Sequence, residues 1–186
     1  MRILPLIFHR HAMDMAERFE CAGQVSSITH RHIRSALACI YYLEIARELL
    51  SHNTMKEAVN KANLGFSKFL DANSEIPDAE KLHFSRLLHP DFPSSEERTI
   101  QSSGYVMHTL EASIWCLLNS HSYSEVVLKA VNLGKDTDTT AAVTGGLAGL
   151  IYGFDAIPKE WVSQLARKKD IEELAERFGN SILFKG

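Results

Sequence analysis

Ile33-Arg-Ser-Ala-Leu-Ala-Cys-Ile-Tyr-Tyr-Leu-Glu-Ile-Ala-Arg-Glu-Leu-Leu50 decides the fold. Ala36, Leu37, Ile40, Leu43, Ala46 and Leu50 recur at steps of three and four, which places them on one face of a helix running to about Ser51. The pattern is so densely apolar that this helix is expected to lie in the core. Downstream, Met55 to Leu70 carries Ala58, Ala62, Phe66 and Phe69 among charged residues, as an amphipathic surface helix does. Val106, Leu110, Ile114 and Leu117 form another stripe, with Trp115 adding bulk.

Between these stretches, residues 71–104 lose periodicity. Pro77, Pro90, Pro93, Ser94-Ser95 and Ser102-Ser103-Gly104 interrupt them, so a short helix near Ala79–Leu88 is expected inside a long irregular connection. Ser122-Tyr-Ser-Glu125 reads as a capping box for a helix reaching Leu133, with Gly134 placed to end it. A Gly/Ala-rich helix from Thr139 to Tyr152 is expected next. Pro158 stands at an expected first helical position, and Asp170-Ile-Glu-Glu173 reads as the capping box of a last helix. No segment alternates with a period of two and no repeat is visible, so the expected fold is all-α.

The 186 residues suffice for one well-buried core and require no second domain. With 45% hydrophobic and 23% charged residues and a formal net charge of -3, the chain has the composition of an ordinary globular protein. It carries no basic stripe, so nucleic acid is not an expected partner. No apolar run reaches the roughly 18–20 residues of a membrane span, and a membrane partner is not expected either. The apolar opening Met1–Phe8 stops at His9-Arg10-His11 without a small-residue cleavage site, so it reads as a buried helix rather than a signal peptide. Cys21, Cys39 and Cys116 lie far apart in apolar contexts and read as reduced core residues. A cytoplasmic location is the default expectation.

One cluster carries chemistry. Asp136-Thr-Asp-Thr139 follows the helix-ending Gly134 and opens the Gly/Ala-rich helix. Two carboxylates and a hydroxyl on a short turn are the hard oxygen donors that Mg²⁺ or Mn²⁺ prefers. An aspartate at a helix start is equally an ordinary N-cap, and spacing alone does not separate the two readings. Ala141, Ala142, Gly145, Gly146, Ala148 and Gly149 favour the metal: they allow this helix to pack closely and hold its start deep in the molecule, where two unpaired carboxylates are costly.

The run Ser103-Gly-Tyr-Val-Met-His-Thr-Leu-Glu-Ala-Ser-Ile-Trp115, followed by Ala130-Val-Asn-Leu-Gly-Lys-Asp-Thr-Asp-Thr-Thr-Ala-Ala-Val-Thr-Gly-Gly-Leu-Ala-Gly149, resembles the C-terminal half of the ADP-ribosylglycohydrolase family. Ser26-Ser-Ile-Thr-His-Arg-His32 resembles that family's central Thr-His motif. Met1-Arg-Ile-Leu-Pro-Leu6 resembles the tail of its Asn-Gly-x-x-Met-Arg-x-x-Pro-Leu segment. The likeness covers essentially the whole chain, in the family's order.

The resemblance implies an all-α fold and a pair of Mg²⁺ or Mn²⁺ ions. It also implies hydrolysis of the bond joining ADP-ribose to a side chain such as arginine, so the partner would be an ADP-ribosylated protein or a small molecule containing ADP-ribose. Carried over by position, it implies Asp136, Asp138 and Thr139 as metal ligands, His30 as a lining residue of the substrate cleft and Tyr105 as a stacking residue for adenine. Lys135 stands where the family often has Gly and is expected to point outward. The family's N-terminal Thr-Asp-Asp motif, which supplies further metal ligands, has no counterpart in the sequence. The expectation is therefore a partial domain with half a metal site, inactive alone or dependent on a companion N-terminal segment, with apolar surface that favours a homo-oligomer. Two rivals stand beside the hydrolase: a binding module that holds ADP-ribose without turnover, and a purely structural protein that binds neither metal nor ligand.

Overall fold

In a computed structural model, which describes residues 3–10 and 13–183, the chain folds into eleven α-helices with no strand among the described residues. Met1 and Arg2, the start of one resembling segment, lie outside the described residues. The helix over Ile33–Leu50 (α3) is the centre of the molecule: from Ala36 to Leu49 every residue is buried except Arg47. Four helices surround it, Met15–Ser27 (α2), Met55–Ala72 (α4), Val106–Leu118 (α7) and Thr137–Tyr152 (α9). The helix over Tyr123–Asn132 (α8) pairs with α9 and closes the far side of α7.

Local chemistry explains most of these boundaries. Thr54 caps α4 by accepting from the Glu57 amide, while the Glu57 carboxylate accepts from the Thr54 amide. At α8, Ser122 accepts from the Glu125 amide, but the Glu125 carboxylate accepts from the His121 amide, one residue before the cap. Gly134, with φ of 78°, turns the chain after α8 into the left-handed region that glycine enters without strain.

The N-terminal helix α1 spans only Leu6–Arg10, because Pro5 precedes it, yet Ile3 and Ile7 are buried against the core as expected. Helix α2 lies where no periodic apolar stripe marks one, since it buries only Arg18 and Ala22. At its start Asp14 and Glu17 form a capping box in both directions, a local pattern absent from the sequence-based expectations. Arg18 grips the Glu44 carboxylate of α3 through Nε (2.6 Å) and Nη2 (2.8 Å), so a buried ion pair anchors this helix in place of a wide apolar face.

The irregular connection resolves into Asp78–Leu82 (α5), Ser85–Leu88 (α6) and two 3₁₀ turns, pinned by buried Ile76, Phe84, Leu87 and Phe92. Pro158 sits one residue before Lys159–Ser163 (α10), at the cap rather than the first helical position. The last helix, Lys168–Leu183 (α11), begins ahead of Asp170. Arg167 donates from Nε to the Asp170 carboxylate at 2.6 Å, so the expected capping box is a first-turn ion pair instead. Cys39 and Cys116 are buried free thiols and Cys21 is half-buried.

Candidate functional site

Helix α9 starts two residues earlier than its apolar pattern suggests, with Asp136 at the N-cap and Asp138 inside the first turn. Asp136 occupies the cap position without capping: its side chain accepts no hydrogen bond from the helix. That observation weighs against the plain capping reading. The carboxyl groups of Asp136 and Asp138 instead stand within hydrogen-bonding reach of each other. The Asp138 carboxyl is held below its usual range, first by this contact with Asp136 and then by the backbone amides of Thr139 and Asp138. Asp138 is exposed and Asp136 half-buried, so the start of α9 lies at the open cleft rather than deep in the molecule as expected, and water screens the two charges.

A turn-to-loop staple fixes where the pair points. Ser102, buried between the segments, donates from Oγ to the Gly134 carbonyl at 2.7 Å, while the Asp136 amide donates to the Ser102 carbonyl at 2.9 Å. The staple draws the loop before α7 onto the start of α9. As a result a Cβ placed on Gly104 would lie 3.1 Å from Asp136 Oδ2. Ser102 stood out in the sequence only as a breaker of periodicity, and Gly104 only as such a breaker and as one residue of the resembling run, because their partners lie some 30 residues away.

These segments enclose a cleft of about 1000 Å³ between the α2–α3 loop, the start of α3, the loop before α7 and the start of α9. His30, Tyr105, Asp136, Asp138 and Thr139 all line it, together with Arg34. The volume is at the upper end for small-molecule clefts. His30 does not open a helix: it lies exposed in the loop after α2, its Nδ1 3.0 Å from Thr29 Oγ1. The histidine that caps α3 is His32, whose Nδ1 accepts from the Arg34 amide at 3.1 Å. A shallower groove of about 490 Å³ beside Glu97, Glu125 and Lys129 contains none of these residues.

Tyr105 is 37% exposed at the cleft. Its ring meets His108 edge to face, with centroids 5.0 Å apart, and His108 Nδ1 lies 2.7 Å from Ser103 Oγ. Burial lowers the His108 pKa from 6.5, with smaller contributions from the charges of Lys135 and Arg86. Lys135 itself is exposed, at a φ of 56°. That left-handed conformation suits glycine better than lysine, which gives a physical reason for glycine at such a position.

The donor set fits a hard divalent cation in type and falls short in number. Asp136, Asp138 and Thr139 offer oxygen donors on one turn, against the near-octahedral shell of about six that Mg²⁺ takes. Among the described residues, no group of three His, Cys, Asp or Glu side chains is placed to hold a metal alone.

Comparison with known proteins places the fold and the motifs together. The sequence profile described as ADP-ribosylglycohydrolase matches residues 1–185. The chain belongs to the ADP-ribosylglycohydrolase family. It is 32% identical over 152 residues to the ADP-ribosylarginine hydrolase Tri1 of Pseudomonas putida (strain GB-1), covering 77% of this chain and 41% of the relative. It is 31% identical over 147 residues to the ADP-ribosyl-[dinitrogen reductase] glycohydrolase of Rhodospirillum rubrum, covering 78% and 42%. A solved ADP-ribosylglycohydrolase-related protein complex superposes with a TM-score of 0.75 at 25% identity, over 93% of this chain and 56% of that one. The chain thus spans about half the length of the relatives it matches. Among the described residues, no helix is long and apolar enough to cross a membrane.

Proposed function

We propose that this chain supplies the ADP-ribose-binding half of a hydrolase that removes ADP-ribose from modified side chains, with arginine the linkage named in its Pseudomonas putida relative. The observation that carries the reading is the convergence of Asp136, Asp138, Thr139, His30 and Tyr105 on one cleft. In this reading Asp136, Asp138 and Thr139 hold Mg²⁺ or Mn²⁺, which when bound supplies Lewis-acid stabilisation and a template for the ribose hydroxyls and water.

The chain's own residues do the rest. His30 lines the same cleft from the loop after α2. Tyr105 offers an aromatic face for a planar ring. Among the described residues, the cleft lining contains no carboxylate besides the aspartate pair. Turnover therefore needs a further carboxylate as general base, which we assign to a companion segment or a second copy of the chain, in the cytoplasm.

That shortage favours one second reading, a module that binds ADP-ribose without turnover. The test is calorimetric titration of Mn²⁺ and then ADP-ribose into the purified chain, with Asp138→Ala as control, followed by a turnover assay on ADP-ribosyl-arginine. Metal-dependent ADP-ribose binding that Asp138→Ala abolishes is the expected result. Absence of ADP-ribose binding overturns the functional reading, and metal-dependent turnover by the chain alone overturns the need for a companion.

A further inference from the structure

Three segments meet at one guanidinium on the rim of the cleft. Arg34, in the first turn of α3, donates from Nε and Nη2 to the two oxygens of Glu80, both at 2.8 Å. Its Nη1 donates to the Tyr105 hydroxyl at 2.8 Å, and its carbon lies 5.8 Å from the Tyr105 ring centroid. Glu80 belongs to α5, a five-residue helix held between buried Ile76 and Phe84. The guanidinium is thus fixed by a bidentate carboxylate from below and spends its remaining nitrogen on the phenol.

Tyr105 is held on its other sides as well. His108 packs edge-on against its ring, and the Tyr105 amide donates to Ser103 Oγ at 3.3 Å. A tyrosine that serves only as packing needs no such frame, and an exposed ring without one loses rotamer freedom whenever a ligand stacks on it.

We infer that Arg34, oriented by Glu80, is a positioning residue that holds the Tyr105 ring as a fixed wall of the cleft for a planar heteroaromatic group of the ligand. The inference rests on the ADP-ribose reading for its ligand and on the Arg34–Glu80–Tyr105 geometry for its mechanism. Lysine cannot substitute, because a single ammonium does not engage both carboxylate oxygens and the phenol in one plane.

Two probes separate this from a phosphate contact by Arg34. ADP-ribose carries a base and ribose 5-phosphate does not, so Arg34→Lys and Glu80→Gln should each weaken ADP-ribose binding by about five- to tenfold and leave ribose 5-phosphate unchanged. Tyr105→Phe, which keeps the ring and loses the hydroxyl, should weaken ADP-ribose to a similar degree, and combining it with Arg34→Lys should add little. Equal losses on both ligands, no loss, or additive losses overturn the inference. Hydrogen exchange on the ligand-free chain tests the tie by itself. Amides of residues 103–108 should exchange faster in Arg34→Lys and Glu80→Gln, with the rest of the chain unchanged, and unaltered exchange there overturns the inference. Faster exchange in a chain whose wild type binds no ADP-ribose overturns the ligand role together with the functional reading.

Discussion

Gly104→Ala is a small perturbation aimed at one carboxylate. Gly104 has no positive φ that would strain an alanine, so the backbone accepts the change. The new Cβ meets only Asp136 Oδ2, at 3.1 Å, tighter than an ordinary carbon–oxygen contact, so the carboxylate must give by a few tenths of an ångström. Fold stability should hardly change, within about 0.5 kcal/mol, because no buried apolar contact is altered. Metal coordination is less forgiving, since ligand distances must lie within about 0.2 Å of their ideal values. Displacing one of three oxygen donors by more than that should weaken Mn²⁺ binding by about tenfold, or roughly 1.4 kcal/mol. Calorimetry with Mn²⁺ on wild type and variant, alongside thermal unfolding without metal, reads both quantities. Unchanged Mn²⁺ affinity would refute the claim that Asp136 Oδ2 is a ligand fixed by the Gly104 loop. A large drop in Tm without metal would refute the claim that the contact is local.

Other perturbations test the frame around the site. Arg18→Ala leaves the Glu44 carboxylate, 3% exposed, with Arg47 as its other ion-pair partner, so it should cost about 3 kcal/mol and lower Tm by roughly 10 °C in a chain of this size; a change below about 1 °C in a melting curve would remove the ion pair as the anchor of α2. On α9 a Cβ at Gly146 would come within 2.9 Å of Leu4 Cδ2 and of the Tyr42 hydroxyl, which donates to the Val143 carbonyl, whereas a Cβ at Gly149 meets nothing within 4 Å. Chemical denaturation should therefore show Gly146→Ala losing about 1–2 kcal/mol through overpacking and Gly149→Ala gaining up to about 1 kcal/mol from helix propensity, and equal effects at both positions would contradict the close approach. His108, whose folded pKa lies below 6.5, binds fewer protons in the folded chain than in the unfolded one as pH falls past 6.5. Its contribution to stability is complete above 6.5 and fades on acidification, so unfolding titrations between about pH 7.5 and 5.5 should show a steeper decline for wild type than for His108→Gln.

Periodicity alone placed α3, α4 and α7, because each buries a continuous apolar stripe that a 3.6-residue repeat exposes to inspection. The Asp-Thr-Asp-Thr turn, Tyr105 and His30 were also legible, as residue types in the order of a family to which the chain belongs. Helix α2 was not, since its burial rests on Arg18 paired to a residue 26 positions away rather than on an apolar face. The expected capping box at Asp170 failed for a related reason: a capping pattern requires the helix to start at that residue, and α11 starts two residues before it.

What the sequence determined by itself was which chemistry is available: hard oxygen donors on one turn, an aromatic ring on a loop, a histidine between helices. Only the tertiary structure decided how they act together. Ser102 joins segments 32 residues apart, Arg34 reaches Glu80 across 46 and Tyr105 across 71, and Gly104 sets the room left for Asp136. Hydrogen bonds between such distant residues leave no periodic trace, because each depends on one donor meeting one acceptor in space, whereas burial of a helix face depends on many residues repeating along the chain.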